Sequence, residues 1–94
     1  MRESFLERKL CAFAKAHGIL TLKLVAMGGA QKGQPDRLLL KKGKAVFLEI
    51  KAPGRKLRPL QLRWLEKLRA KGFAAHWCDS VEERERIMRD EYDL

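Results

Sequence analysis

The 94-residue chain carries 21 Lys plus Arg against 12 Asp plus Glu, a net charge of +9. That length fits a single domain, 1–94. Hydrophobic residues make up 46 %, which argues against wholesale disorder, and no apolar run approaches the roughly 20 residues of a membrane span.

Residues 2–17 read as a first helix, with Leu6, Leu10, Phe13 and His17 at spacings of three and four. Gly18 is its stop signal. Residues 19–25 read as a strand with Leu20, Leu22 and Leu24 on one face. Residues 26–35 hold Gly28, Gly29, Gly33 and Pro35 without an apolar period, which predicts a loop. A second strand follows over 36–41, with Leu38 and Leu40 sharing a face with Asp36. Lys42-Gly43 predicts a tight turn into a third strand, 44–51. Val46, Leu48 and Ile50 take one face of that strand, and Phe47, Glu49 and Lys51 the other.

Pro53-Gly54 ends the third strand, and a basic loop leads to Pro59, a suitable first residue for a helix over 59–71. Gly72 stops it, and 73–78 form a short apolar fourth strand. Ser80-Val81-Glu82-Glu83 is a capping-box pattern for a last helix that runs to about Glu91. The order α-β-β-β-α-β-α predicts an α/β fold: a three-stranded meander, a helical crossover to a fourth strand, and helices flanking the mixed sheet. The charged start Met1-Arg2-Glu3-Ser4-Phe5 lacks the apolar stretch of a signal peptide. Cys11 and Cys78 are too few and too far apart for a zinc site or a disulfide framework, so an intracellular protein with reduced thiols is expected.

The charge is unevenly placed. Residues 1–31 carry a net +3, residues 32–78 a net +10, and residues 79–94 a net −4. A concentrated basic stretch attracts a polyanion, of which nucleic acid is the usual one.

Three pieces of sequence suggest chemistry. A hairpin centred on Lys42-Gly43 brings Asp36, at the start of one strand, beside Glu49, near the end of the next. Two carboxylates together repel unless a cation lies between them. Their oxygen ligands suit Mg²⁺, which also takes substrate phosphate oxygens. Lys51 lies two residues beyond Glu49 and so on the same face, where it could orient a water or steady charge on phosphorus. The bland alternative is a solvent-facing Glu49–Lys51 ion pair, but Glu49 interrupts the apolar run Ala-Val-Phe-Leu-Glu-Ile, where an unpartnered carboxylate is costly. Glu3 continues the stripe of the first helix, and Gln61 is in register with Leu65 and Leu68. A polar group on a core stripe needs a partner. Glu3 at a frayed end and Gln61 at the rim of the core are the plainer readings. His17 reads as a helix-end residue, His76 as a strand residue, and Cys11 and Cys78 as small core or near-core residues.

The ordered set Glu3-Ser4, Gly33-Gln34-Pro35-Asp36-Arg37, Phe47-Leu48-Glu49-Ile50-Lys51, Ala52-Pro53-Gly54 and Pro59-Leu60-Gln61 resembles the VRR-NUC nuclease domain, a branch of the PD-(D/E)xK superfamily. The resemblance runs from Glu3 to the helix after Ser80. It implies a restriction-endonuclease-like αβββαβ core with an extra C-terminal helix and phosphodiester hydrolysis with Mg²⁺ or Mn²⁺. It further implies a homodimer acting on branched DNA in the manner of a Holliday-junction resolvase, in the cytoplasm of a bacterial or phage-infected cell. Asp36 and Glu49 would be the principal metal ligands, with the Ile50 carbonyl, and with Glu3 direct or through water. Lys51 would be the catalytic lysine, and Gln61 would position it or the substrate. Lys32, Arg37, Arg55, Lys56, Arg58 and Arg63 are the candidates for contacts to the DNA backbone, giving affinity and register rather than sequence readout. A non-catalytic nucleic-acid-binding module of the same fold, and a flap or general DNA nuclease, are the alternatives. Apolar surface for a two-fold contact would come from the first helix or from Trp64 and Trp77.

Overall fold

The computed structural model describes the backbone of residues 3–25 and 33–94 and the side chains of residues 5–25 and 33–94. Its elements are α1 (Glu3–Ala16), β1 (Leu20–Lys23), β2 (Arg37–Lys41), β3 (Lys44–Ile50), α2 (Pro59–Ala70), β4 (Ala74–Cys78) and α3 (Val81–Tyr92). This is the order expected from the sequence, with β1 shorter than its apolar run. The sheet order is β1-β2-β3-β4. The first three strands are antiparallel and β4 runs parallel to β3, a pairing that needs the crossover supplied by α2.

The turn between β2 and β3 has two residues, Lys42 (φ 50°) and Gly43 (φ 78°). Both lie in the left-handed region, the geometry that matches the twist of a two-residue hairpin. That turn sets the register Leu40↔Ala45, Leu39↔Val46, Leu38↔Phe47 and Arg37↔Leu48.

The two faces of the sheet differ. On one, Leu39, Val46, Leu48, Ile50 and Cys78 pack against Leu6, Leu10 and Ala14 of α1 and Ile87 and Met88 of α3. On the other, α2 covers only the β3–β4 side, where Leu65 and Ala75 are buried. The leucines of β1 share this second face, and with no helix above them among the described residues Leu20 is 58 % and Leu22 43 % exposed. Phe73 and Leu62 are also exposed, whereas Trp64 and Trp77 are half-buried. The large apolar surface therefore lies on the open sheet face and α2, not on the tryptophans.

α3 closes the helical layer. The Ser80 hydroxyl accepts from the Glu83 backbone N–H at 3.1 Å, the expected cap. Within the core, Arg84 is only 1 % exposed. It donates from Nη1 to the Leu6 carbonyl at 2.7 Å, which ties α3 to α1, and burial lowers its pKa. The far end of α3 is pinned to the β2–β3 hairpin. The Glu91 carboxylate meets Lys44 Nζ at 2.7 Å and His76 Nε2 at 2.6 Å. The Tyr92 hydroxyl lies 2.9 Å from the Leu39 carbonyl and 3.0 Å from that of Lys44.

Candidate active site

The hairpin register continues one step past Arg37↔Leu48, so Asp36 lies opposite Glu49. Each side of this pair is held by backbone. The Leu24 N–H donates to the Asp36 carbonyl at 2.7 Å, and the Lys51 N–H donates to the Cys78 carbonyl at 2.8 Å. The second bond extends the β3–β4 ladder one residue beyond Ile50 and fixes the root of the lysine. The Asp36 Oδ2 lies 3.4 Å from the Ile50 backbone N–H, a long contact across the mouth of the hairpin. Pro35, just before Asp36, is buried, and its ring restricts the entry into β2.

Glu49 is 3 % exposed. Its Oε2 accepts from Gln61 Nε2 at 3.2 Å and lies 3.6 Å from Lys51 Nζ. Its Oε1 is buried and receives no hydrogen bond. Burial first, and the neighbouring Asp36 charge second, push the Glu49 carboxyl up to about 8, against the opposing pull of Lys51. An oxygen with no donor, in a buried carboxylate beside a second carboxylate, is a position that a cation would stabilise.

Gln61 is oriented by its other end. Its Oε1 accepts from the Arg58 backbone N–H at 2.8 Å, which caps the first turn of α2. The amide nitrogen therefore has to face outward from that turn, and it meets Glu49. The partner of the Gln61 amide is thus the Glu49 carboxylate. Lys51 reaches the same oxygen, Oε2, from the other side.

The structure therefore gathers Asp36, Glu49, Lys51 and Gln61. The backbone of Glu3 lies in the first turn of α1, and its side chain falls outside the described residues. One turn further on, the Glu7 carboxylate reaches Arg37 Nη2 at 3.8 Å and Lys23 Nζ at 3.9 Å, so this end of α1 lies near the start of β2. The oxygen donors at the pair are the two carboxylates, with the Ile50 backbone adjacent through its N–H. Among the described residues no group of three or more His, Cys, Asp and Glu side chains gathers as a metal cluster. The residues present suit a hard oxygen-seeking ion that keeps several waters, the habit of Mg²⁺.

Of the basic candidates, Arg55, Lys56 and Arg58 are exposed on the loop between β3 and α2, and Arg63 is exposed on α2. Arg37 is placed apart from these. Adjacent strand residues point to opposite faces, so its side chain turns away from Asp36 to the helical layer. There it is 11 % exposed, beside Glu7. Lys32 lies outside the described residues.

A family model described as the VRR-NUC domain matches residues 4–82. The chain is 40 % identical over 81 residues to a putative nuclease p44 of Acyrthosiphon pisum secondary endosymbiont phage 1, covering 85 % of each. Among solved structures, one described as a VRR_NUC domain superposes with a TM-score of 0.84 at 28 % identity, covering 96 % of this chain and 97 % of that one. A second, a VRR_NUC domain protein, gives 0.82 at 17 % identity over 100 % of this chain and 90 % of the other, a likeness of fold.

Proposed function

This chain belongs to the VRR-NUC domain family of nucleases, and from that premise we propose that it is a Mg²⁺- or Mn²⁺-dependent DNA endonuclease that acts on branched DNA as a homodimer. The observation that carries the reading is Glu49. It is buried opposite Asp36 with one oxygen taken by Gln61 and Lys51 and the other without a donor. Asp36, Glu49 Oε1 and the Ile50 carbonyl would hold the ion, with Glu3 directly or through water. When bound, a divalent ion polarises the scissile phosphate and neutralises charge that builds on it.

The chain's own groups do the rest. Gln61 keeps Glu49 Oε2 occupied and so leaves Oε1 for the ion. Lys51, its root fixed by the β-ladder, orients the attacking water and steadies negative charge on the phosphoryl oxygens. Arg55, Lys56, Arg58 and Arg63 contact the phosphate backbone, where they supply affinity and register but no reading of sequence. The open leucine face of β1 supports the homodimer, because a second copy seated on Leu20 and Leu22 would remove apolar surface from water.

The test is a cleavage panel of four-way junction, flap, duplex and single strand in Mg²⁺ and in Mn²⁺, together with a mass measurement in solution. The reading expects the junction to be cut fastest and a mass of two chains. A protein that binds every substrate and nicks none in either metal would be a binding module instead. Cutting all four equally would make it a general nuclease.

A further inference from the structure

Gly33 has φ +87°, and a Cβ built there would stand 2.7 Å from Leu60 Cγ and 3.1 Å from the Leu60 carbonyl carbon and oxygen. A Cβ contact as short as the first would force Leu60 or the chain to shift, so glycine lets the chain cross the first turn of α2 at this height undisturbed. Gly18, Gly43, Gly54 and Gly72 also have positive φ, yet a Cβ on any of them would meet nothing within 4 Å. Gly33 is thus the one of these five whose lack of a side chain is required by a neighbour as well as by its backbone angle. Its neighbour is itself unusual. Leu60, in the first turn of α2, is 45 % exposed, so the core does not hold its side chain.

The two residues sit at the roots of the two halves of the candidate site. Gly33 is three residues before Asp36, and the intervening Pro35 is buried and stiff. Leu60 immediately precedes Gln61, whose amide holds Glu49. The hairpin register fixes the two backbones, so a shift of the Gly33 segment against α2 moves the entry to Asp36 against the Gln61 amide that holds the Glu49 carboxylate.

We infer that the Gly33–Leu60 contact is a latch that sets how the Asp36 segment meets the Gln61 amide holding Glu49, which makes Gly33 and Leu60 positioning residues for the two carboxylate ligands. The inference rests on the nuclease reading above. Neither residue touches the substrate or the ion. Both act through the carboxylates.

The test uses the full chain and four proteins: wild type, Gly33→Ala, Leu60→Ala and the double variant. Mn²⁺ affinity is measured by calorimetry, cleavage of a four-way junction in single turnover, DNA affinity in Ca²⁺, and melting temperature without metal. Gly33→Ala is expected to weaken Mn²⁺ binding by about 10–100-fold, the usual effect of disturbing groups that orient metal ligands, and to slow cleavage by a similar factor. DNA affinity should stay near wild type, while the melting temperature should fall in Gly33→Ala and in the double variant alike, because alanine is strained at φ +87°. Leu60→Ala, on an exposed side chain that puts folding at little risk, should act in the same direction more weakly. In the double variant the clash with Cγ is gone, so its loss should be smaller than the product of the two single losses. A Leu60→Ala protein with wild-type Mn²⁺ affinity and rate would overturn the latch, as would losses that multiply in the double variant. A wild type that takes no Mn²⁺ and cuts nothing would overturn the nuclease reading itself.

Discussion

Two glutamates of this protein stand in opposite electrostatic situations, at opposite ends of the sheet. Glu91, on α3, has Lys44 Nζ at 2.7 Å and His76 Nε2 at 2.6 Å, and chiefly its hydrogen bond with Lys44 lowers its pKa. Glu49, on β3, is more deeply buried and faces a second carboxylate, and its pKa is raised to about 8. Both have a lysine within reach, so the presence of a cation does not separate them. What separates them is completeness. Glu91 is matched on both oxygens, Oε1 by Lys44 and Oε2 by His76. Glu49 is matched on one oxygen and bare on the other. A carboxylate satisfied by its own fold stabilises that fold. A buried carboxylate left half satisfied costs stability, and the cost is intelligible where a ligand from outside completes the set.

Neutral isosteres at the two positions should therefore move activity and stability in opposite ways. The largest effect expected is loss of cleavage, by at least about 100-fold, in Lys51→Ala, Asp36→Asn and Glu49→Gln, read in single turnover with Mg²⁺ and with Mn²⁺. Glu49→Gln should at the same time melt higher than wild type in the absence of metal at pH above about 8, where the Glu49 carboxyl is ionised and buried with an unpaired oxygen. Glu91→Gln should do the reverse: cleavage unchanged, and stability lower by about 1–2 kcal/mol. For a domain of this size about 1 kcal/mol corresponds to roughly 4–8 °C in melting temperature. If Glu49→Gln melts lower than wild type, the contrast drawn above is wrong and Glu49 is a structural ion pair. A smaller effect sharpens the same contrast. Added Mn²⁺ should raise the melting temperature of wild type and of Glu91→Gln by equal amounts and leave Glu49→Gln unmoved, since only a ligand that binds the folded state shifts it.

The contrast was only half legible in the sequence. The order of elements followed from the spacing of apolar residues, and Lys42-Gly43 alone was enough to bring Asp36 opposite Glu49, because a two-residue turn dictates the register of everything behind it. Glu49 was readable as costly from its apolar neighbours. The unpaired oxygen was not, since it depends on Gln61 arriving from α2 with its amide already oriented by the Arg58 N–H. The placing of Arg37 was readable: it follows Asp36 directly in a strand and so must point the other way. Arg84 was missed because it sits among Glu82, Glu83, Glu85 and Arg86 and looks like part of a solvated charge run. Its spacing of three and four to Ile87 and Met88 carried the signal, the same one that exposed Gln61. The bare face of β1 lay beyond sequence reasoning. Periodicity shows that Leu20 and Leu22 share a face and is silent on whether a helix covers it.

The smallest expected effect concerns the pH range over which Glu91 helps. Its pKa is lowered in the folded protein from an ordinary value of 4.5, so the unfolded chain takes up its proton first as pH falls. Stability from this carboxylate is therefore fully present above about pH 5, and it is lost as pH drops through the folded value. The stability difference between wild type and Glu91→Gln should be flat from neutral pH down to about 5 and shrink below that, measured by urea denaturation at a series of pH values. His76, Lys44 and Tyr92 surround the group, so the same series on Lys44→Met shows which partner matters. If Lys44 is the principal cause, its removal should abolish most of the acid-side loss while the hydrogen bond to His76 persists. A difference that stays constant down to pH 3 would mean that Glu91 is held by geometry alone. It would then no longer be the electrostatic opposite of Glu49.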